Sequence, residues 1–185
     1  RASESPSATP SAFAKMDRDP IEDYCLALLL QHMELGAETS ALRADHFRRH
    51  ENREIFRRLT QAGNGAQVGS VNAGMHGPMD LDSDLLDSLR QDLDEELMAQ
   101  LELLLQKPLP PLDPMRRNAA FKETLARLEE RYLKVLKAEE ELIFAESPPE
   151  LADNSHQKVL DINQRIKDNH SARQSAKTRL SAVRR

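Results

Sequence analysis

From Phe121 onward, apolar residues recur at intervals that alternate between four and three. Phe121, Leu125, Leu128, Tyr132, Val135 and Leu142 keep that rhythm, with Glu139 as the one polar intruder. Such spacing gathers side chains on one face of an α-helix and scatters them over both faces of a strand. The run therefore predicts a long helix with a coiled-coil-like seam. Val159, Ile162 and Ile166 begin a second seam, which continues as Asn169, Arg173, Ala176, Leu180 and Val183. Its middle is polar, so its last turns are expected to be the weaker ones. Between the two seams, "SPPE" (147–150) breaks the helix, because proline has no N–H to give a helix interior. Two helices joined by so short a break are expected to fold back as an antiparallel αα-hairpin.

The first half of the chain carries shorter helical patterns. Asp19-Pro20 supplies an N-cap acceptor and then a proline at the first helical position. Ile21, Tyr24, Cys25, Leu28 and Leu29 follow on one face, and Leu26 and Leu30 widen the stripe. A helix with so broad an apolar face is expected at the centre of its bundle. Gly36 and the "ETS" after it are expected to close that helix. Next comes "HFRRHENREIF" (46–56), which reads either as a basic nucleic-acid grip or as a buried seam. Asn52, Ile55, Phe56 and Leu59 show the i, i+3, i+4, i+7 pattern of a helix with one buried face, and Gly63 marks its expected stop. Arg49, Arg53 and Arg57 then fall on one outer face, and Glu54 precedes Arg58 by four residues, the favourable order for a helical ion pair. The seam with a solvated arginine face is the simpler reading. Leucines at three-to-four spacing predict another helix over 83–106. Lys107-Pro108 ends it, and "PLPPLDP" (108–114) forms a stiff connector.

No strand-like alternation occurs in the sequence. The expected fold is all-α, a helical bundle subdomain at 19–107 followed by a long C-terminal αα-hairpin subdomain at 108–185. Residues 1–18, rich in Ser, Ala and Pro, read as a flexible linker. Residues 63–80 hold five of the six glycines and no periodic pattern, which predicts a mobile loop.

Composition narrows the function classes. Of 185 residues, 39% are hydrophobic and only 4% aromatic, thin for one large globular core, while 31% are charged, which suits long solvated helices. The net charge of −5, from 26 basic and 31 acidic residues, disfavours a generic polyanion binder. Cys25 is the only cysteine, which excludes an internal disulfide and a multi-cysteine zinc site. A cytoplasmic location is the default expectation, and no apolar run approaches membrane-spanning length. The chain opens on Arg1 rather than Met, so a piece of a longer protein is expected.

The candidate catalytic features are weak. "DLDSD" (80–84) sets three aspartates at alternate positions, but a calcium loop needs Gly where Leu85 stands and Glu where Gln91 stands. Their simpler use is to offset the dipole near a helix N-terminus. His46 and His50 have a zinc-compatible spacing on a helix, yet Arg48 and Arg49 fill the middle and repel a cation. Cys25 sits in an apolar helix without a neighbouring base. No Gly-rich phosphate loop stands between a strand and a helix. The expectation is a chain with no catalytic residue, no metal and no cofactor of its own.

Taken together, "DPIEDYCLALLLQHMEL" and "DHFRRHENREIFRRL" resemble the C-terminal domain of bacterial DNA primase. A similar layout occurs in the N-terminal domain of the replicative helicase, but "LDEELMAQLELLLQKPLPPLD", "LARLEERYLKVLKAEE" and the terminal hairpin favour primase. The resemblance covers roughly residues 19–170. It implies a domain that makes no primer itself, with the zinc-binding and polymerase domains upstream. It implies that this domain docks primase onto the helicase ring, largely through the hairpin, and that the bundle modulates the helicase. The alternatives are the helicase's own N-terminal assembly domain, a structural coiled-coil adaptor, or a nucleic-acid module using the basic tail (Arg173, Lys177, Arg179, Arg184, Arg185). On the primase reading the candidate partner-binding residues surround the helix break. They are Leu142, Ile143, Phe144 and Leu151, with Val159, Ile162 and Ile166 on the second helix. Phe144 is the best candidate anchor, because a buried aromatic at an interface can contribute about 2 kcal/mol or more.

Overall fold

The structure, a computed structural model, describes residues 19–69, 81–146 and 149–182. The expected linker at 1–18 and residues 70–80 of the expected loop lie outside the described residues. Among the described residues six α-helices follow in order: α1 (Pro20–Gln31), α2 (His50–Gly69), α3 (Leu81–Gln91), α4 (Glu95–Leu105), α5 (Pro114–Glu146) and α6 (Pro149–Ala182). Two 3₁₀ segments, Met33–Ala41 and Ala44–His46, join α1 to α2. Among the described residues there is no strand, and the fold is all-α.

Asp19 caps α1, its carboxylate accepting from the N–H groups of Ile21 and Glu22 at 3.0 and 3.2 Å. Every residue from Cys25 to Leu30 is buried, which places α1 at the centre of the bundle. The helix ends at Gln31, short of the stop expected at Gly36, and the chain tightens into a 3₁₀ segment that contains Gly36. Tertiary contacts account for the early end. The Gln31 side chain donates to the Leu104 and Lys107 carbonyls, both at 3.0 Å, and so satisfies groups at the C-terminal end of α4. Leu35, only 3% exposed, then turns back into the core.

Two other boundaries differ from expectation. α2 continues through Gly63 to Gly69, so the first part of the expected loop is helical. A mid-helix glycine costs about 1 kcal/mol relative to alanine, a penalty that disfavours a helix without forbidding it. The single helix expected over 83–106 is two, α3 and α4, parted at Asp92–Asp94. Asp94 accepts from the Leu97 N–H at 2.9 Å and starts α4 afresh. The break lets Leu89 of α3 and Leu101 and Leu104 of α4 reach one core.

That core unites Leu26 and Leu28 of α1, Ile55 and Phe56 of α2, and Phe121 and Leu128 of α5. The rings of Phe47 and Phe56 lie 5.2 Å apart and tilted, so the phenylalanines of "HFRRHENREIF" are indeed seam residues. The first half of α5 is thus part of the bundle. α6 packs against α5 in the opposite direction, through Lys158–Glu140, Arg165–Glu129, Asn169 to the Ala126 carbonyl, and Arg173–Glu123. The α5 seam that meets α6 is not the one the apolar spacing suggested. Phe121, Leu125, Leu128 and Tyr132 belong to the side that covers the bundle. Leu133 and Glu140, buried and seven apart, share the face of Glu129 and Glu130 and look toward α6. Val135 and Leu142, expected inside the seam, are 39% and 60% exposed. One helix serves two partners, and its apolar stripe follows the larger of them.

Candidate protein interface

The motif that raised the nucleic-acid question is anchored from beneath by α1. Glu22 is fully buried, and its carboxylate accepts from the N–H groups of Arg48 and Arg49 at 2.7 and 3.3 Å. It also accepts from Asn52 Nδ2 at 3.1 Å and from the Arg131 guanidinium of α5. A carboxylate placed there supplies the acceptor and the negative charge that the start of α2 needs. Asp23 beside it accepts from Asn52 and Gln100 at 3.2 and 3.4 Å, with Arg49 and Lys107 at 3.9 and 4.0 Å. Arg53 folds back to donate to the Phe47 carbonyl at 3.1 and 2.8 Å. Of the three arginines expected on an outer face, only Arg57 is exposed. Arg53 satisfies a buried carbonyl, and Arg49, half-buried, donates to Glu51 at 2.9 Å and lies 3.9 Å from Asp23, which corrects the solvated-face expectation.

Arg131 also pairs with Asp19 and donates to the His46 carbonyl at 3.2 Å. It thereby ties the middle of α5 to the start of α1 and to the second 3₁₀ segment. His46 sits in that segment, ahead of α2, so His46 and His50 do not share the helical turn that zinc spacing presumes. His46 is instead packed against Tyr132, ring centroids 5.1 Å apart. Burial pushes the Cys25 thiol well above its ordinary value, and the charge of Glu22 adds to the effect, which makes it a poor nucleophile. Among the described residues no group of three His, Cys, Asp or Glu could hold a metal ion. Asp80 lies outside the described residues, as do the side chains of Asp82 and Asp84.

Beyond Leu133, α5 leaves the bundle and carries the candidate residues outward. Leu142, Ile143 and Phe144 are 60%, 48% and 42% exposed. The Phe144 ring lies 6.0 Å from that of His156 on α6. Val159 and Ile166 are half-buried between the helices. Ile162, 5% exposed, is inside the seam and out of a partner's reach. The side chain of Leu151 lies outside the described residues. On this outer part of the helix pair, sequence missed the exposure of Val135, assigned to the seam, and of Leu160, which falls one position off it.

The surroundings of this apolar end are acidic. Glu139, Glu141 and Glu146 are exposed, and Glu141 pairs with Lys137 at 3.5 Å. Glu139 and Glu146 have no ion-pair partner among the described residues. Glu140 turns inward, one oxygen accepting from Lys158 at 3.0 Å and the other buried without a hydrogen-bond partner.

Other surfaces offer less. Arg173 of the basic tail is held by Glu123, at 2.9 and 3.3 Å, and by Glu130. Those bonds, Glu123's first, raise its already high pKa. The Lys177 and Arg179 side chains, and Arg184 and Arg185, lie outside the described residues. A cleft of about 550 Å³ opens where the first 3₁₀ segment, α5 and α6 meet. Most of its charges pair with one another, Lys122 with Glu38 and Arg165 with Glu129, each at 3.1 Å, and Asp168 accepts from Gln164. A second groove, of about 740 Å³, is floored by alanines of α5 and α6. Among the described residues no helix is long and apolar enough to cross a membrane. No protein family, curated protein or solved structure matches the chain.

Proposed function

We propose that this chain is a partner-docking module, the helicase-binding C-terminal domain of a bacterial DNA primase. On this reading it tethers primer synthesis, performed by upstream domains, to the replicative helicase at the fork. It has no catalytic step, metal or cofactor of its own, and it works in the cytoplasm. The observation that carries the reading is the exposure of Leu142, Ile143 and Phe144, three consecutive large apolar side chains left in water around the far end of α5. Large apolar side chains left exposed at one end of a helix and set among charges mark a surface that a partner covers. The buried Glu22–Arg131 network supports it too, because it braces the arm that presents them. Tethering a polymerase at the ring would raise its effective concentration near template to the order of millimolar.

The test is titration of the full chain with the replicative helicase ring, followed by fluorescence anisotropy. Saturable binding is expected. Phe144→Ala is expected to weaken it about tenfold or more, in line with loss of an aromatic anchor. Leu103→Ala, at a 50% exposed leucine on α4, serves as the control and is expected to leave it unchanged. Absence of binding, or equal binding by the Phe144→Ala variant with its helicity intact, overturns the proposal.

A further inference from the structure

The exposed face of α5 has an order of its own. Val135, Glu139, Leu142 and Glu146 follow one another at intervals of four, three and four, and all four are exposed. Helical geometry puts them in one line along the helix. The line prolongs Phe121, Leu125, Leu128 and Tyr132, the side of α5 that the bundle covers. Among the described residues, one continuous face is therefore occupied by helices of this chain in its first half and bare in its second.

The bare half differs from the covered half in charge. In the covered half the carboxylates near the bundle meet arginine, as Glu22 and Asp19 meet Arg131. In the bare half Glu139 and Glu146 alternate with Val135 and Leu142 and meet no cation among the described residues. Between Lys137 and Lys158 the sequence holds six acidic residues and neither Lys nor Arg. With Glu139 and Glu146 unpaired among the described residues the outer line carries excess negative charge, and a negative face favours a positive partner both in approach and in docking.

We infer that the Val135–Glu139–Leu142–Glu146 face receives a basic amphipathic helix from the partner protein. That helix carries apolar residues against Val135 and Leu142 and Lys or Arg against Glu139 and Glu146. It extends over the second half of α5 the helix packing that α1 provides over the first. The inference rests on the reading of this arm as a docking surface, and it adds the chemistry of what docks. Alternating apolar and charged positions along one line also fix register, since a slip by one turn sets lysine against leucine.

The experiment uses the full chain and two synthetic helical peptides. One alternates leucine and lysine at the complementary four-and-three spacing; the other replaces each lysine with glutamate. Binding is followed by fluorescence anisotropy, with amide chemical shifts to locate it. The lysine peptide is expected to bind, to shift the amides of 135–146, and to weaken as salt is added. The glutamate peptide is expected not to bind. Glu139→Lys together with Glu146→Lys is expected to reverse the preference, costing the lysine peptide about tenfold or more. Both sites are exposed, so the variant is expected to keep its fold, which circular dichroism checks. No binding by the lysine peptide, or binding that the double substitution leaves unchanged, overturns the inference. The helicase titration is read separately. Helicase binding that depends on Phe144 but is indifferent to the double substitution sinks this inference and leaves the docking proposal standing. Peptide binding without helicase binding does the reverse.

Discussion

Glu22→Gln tests whether the buried network braces the arm. Glu22 is fully buried and accepts from four donors: two backbone N–H groups, Asn52 Nδ2 and Arg131. Glutamine keeps the length of the side chain and one carbonyl oxygen. Its other terminal atom becomes an NH₂, which must face a donor, and the charge that Arg131 meets is lost. Removing one partner of a buried ion pair costs about 3–5 kcal/mol, because the other is left without compensation. For a chain of this length each kcal/mol lowers Tm by about 2–4 °C, so a fall on the order of 10 °C is expected. Thermal and urea unfolding followed by circular dichroism give both numbers. Arg131→Met is expected to cost a similar amount, and the double variant much less than the two together, with a coupling of about 1 kcal/mol or more. A Glu22→Gln protein within about 1 kcal/mol of the parent, or strictly additive variants, would refute the claim that these groups act as one buried unit.

Ile162→Ala is expected to destabilise the α5–α6 pair by about 2–5 kcal/mol, whereas Leu142→Ala is expected to change stability by under about 0.5 kcal/mol. Equal costs in urea unfolding would contradict the assignment of Ile162 to the seam and Leu142 to the surface. His46 gives a pH signature. Burial holds its imidazole below the ordinary histidine value; Glu129 and Asp45 oppose the shift, and Arg43 and Arg165 reinforce it. The unfolded chain therefore takes up a proton near pH 6.5 that the folded chain refuses until lower pH. Its contribution is complete above that value and is lost as pH falls toward the folded pKa. His46→Asn should flatten the dependence of the urea midpoint on pH in that window, and an unchanged slope would refute it. Glu130, held low by its bond to Lys134 first, and Glu54, held low by Arg58 first, lose their contribution only at more acid pH, below the ordinary value of 4.5.

Local chemistry made much of this chain legible. The Asp19-Pro20 cap, the buried run from Cys25 to Leu30, the inward Phe47 and Phe56 and the second seam through Ile162 all follow from spacing within a few turns. The exposed Ile143 and Phe144 were also visible, as apolar residues beside a helix break that two helices cannot cover. Spacing says which residues share a face, but it does not name what the face meets. Hence Val135 and Leu142 were placed in a seam that in fact runs through Leu133 and Glu140, because the bundle rather than α6 claims the α5 stripe. Arg49 and Arg53 read as solvated because their burial beside Asp23 and under the Phe47 carbonyl is set by folding and not by helical register. Nothing in the spacing singles out Glu22, for the same reason. Its role as a buried hub requires α2 and α5 to arrive at the start of α1 together. Helix identity is decided by interactions a few residues apart and is written in the sequence. Helix ends, partners and the fate of charges depend on groups up to about a hundred residues away, and packing alone brings those together.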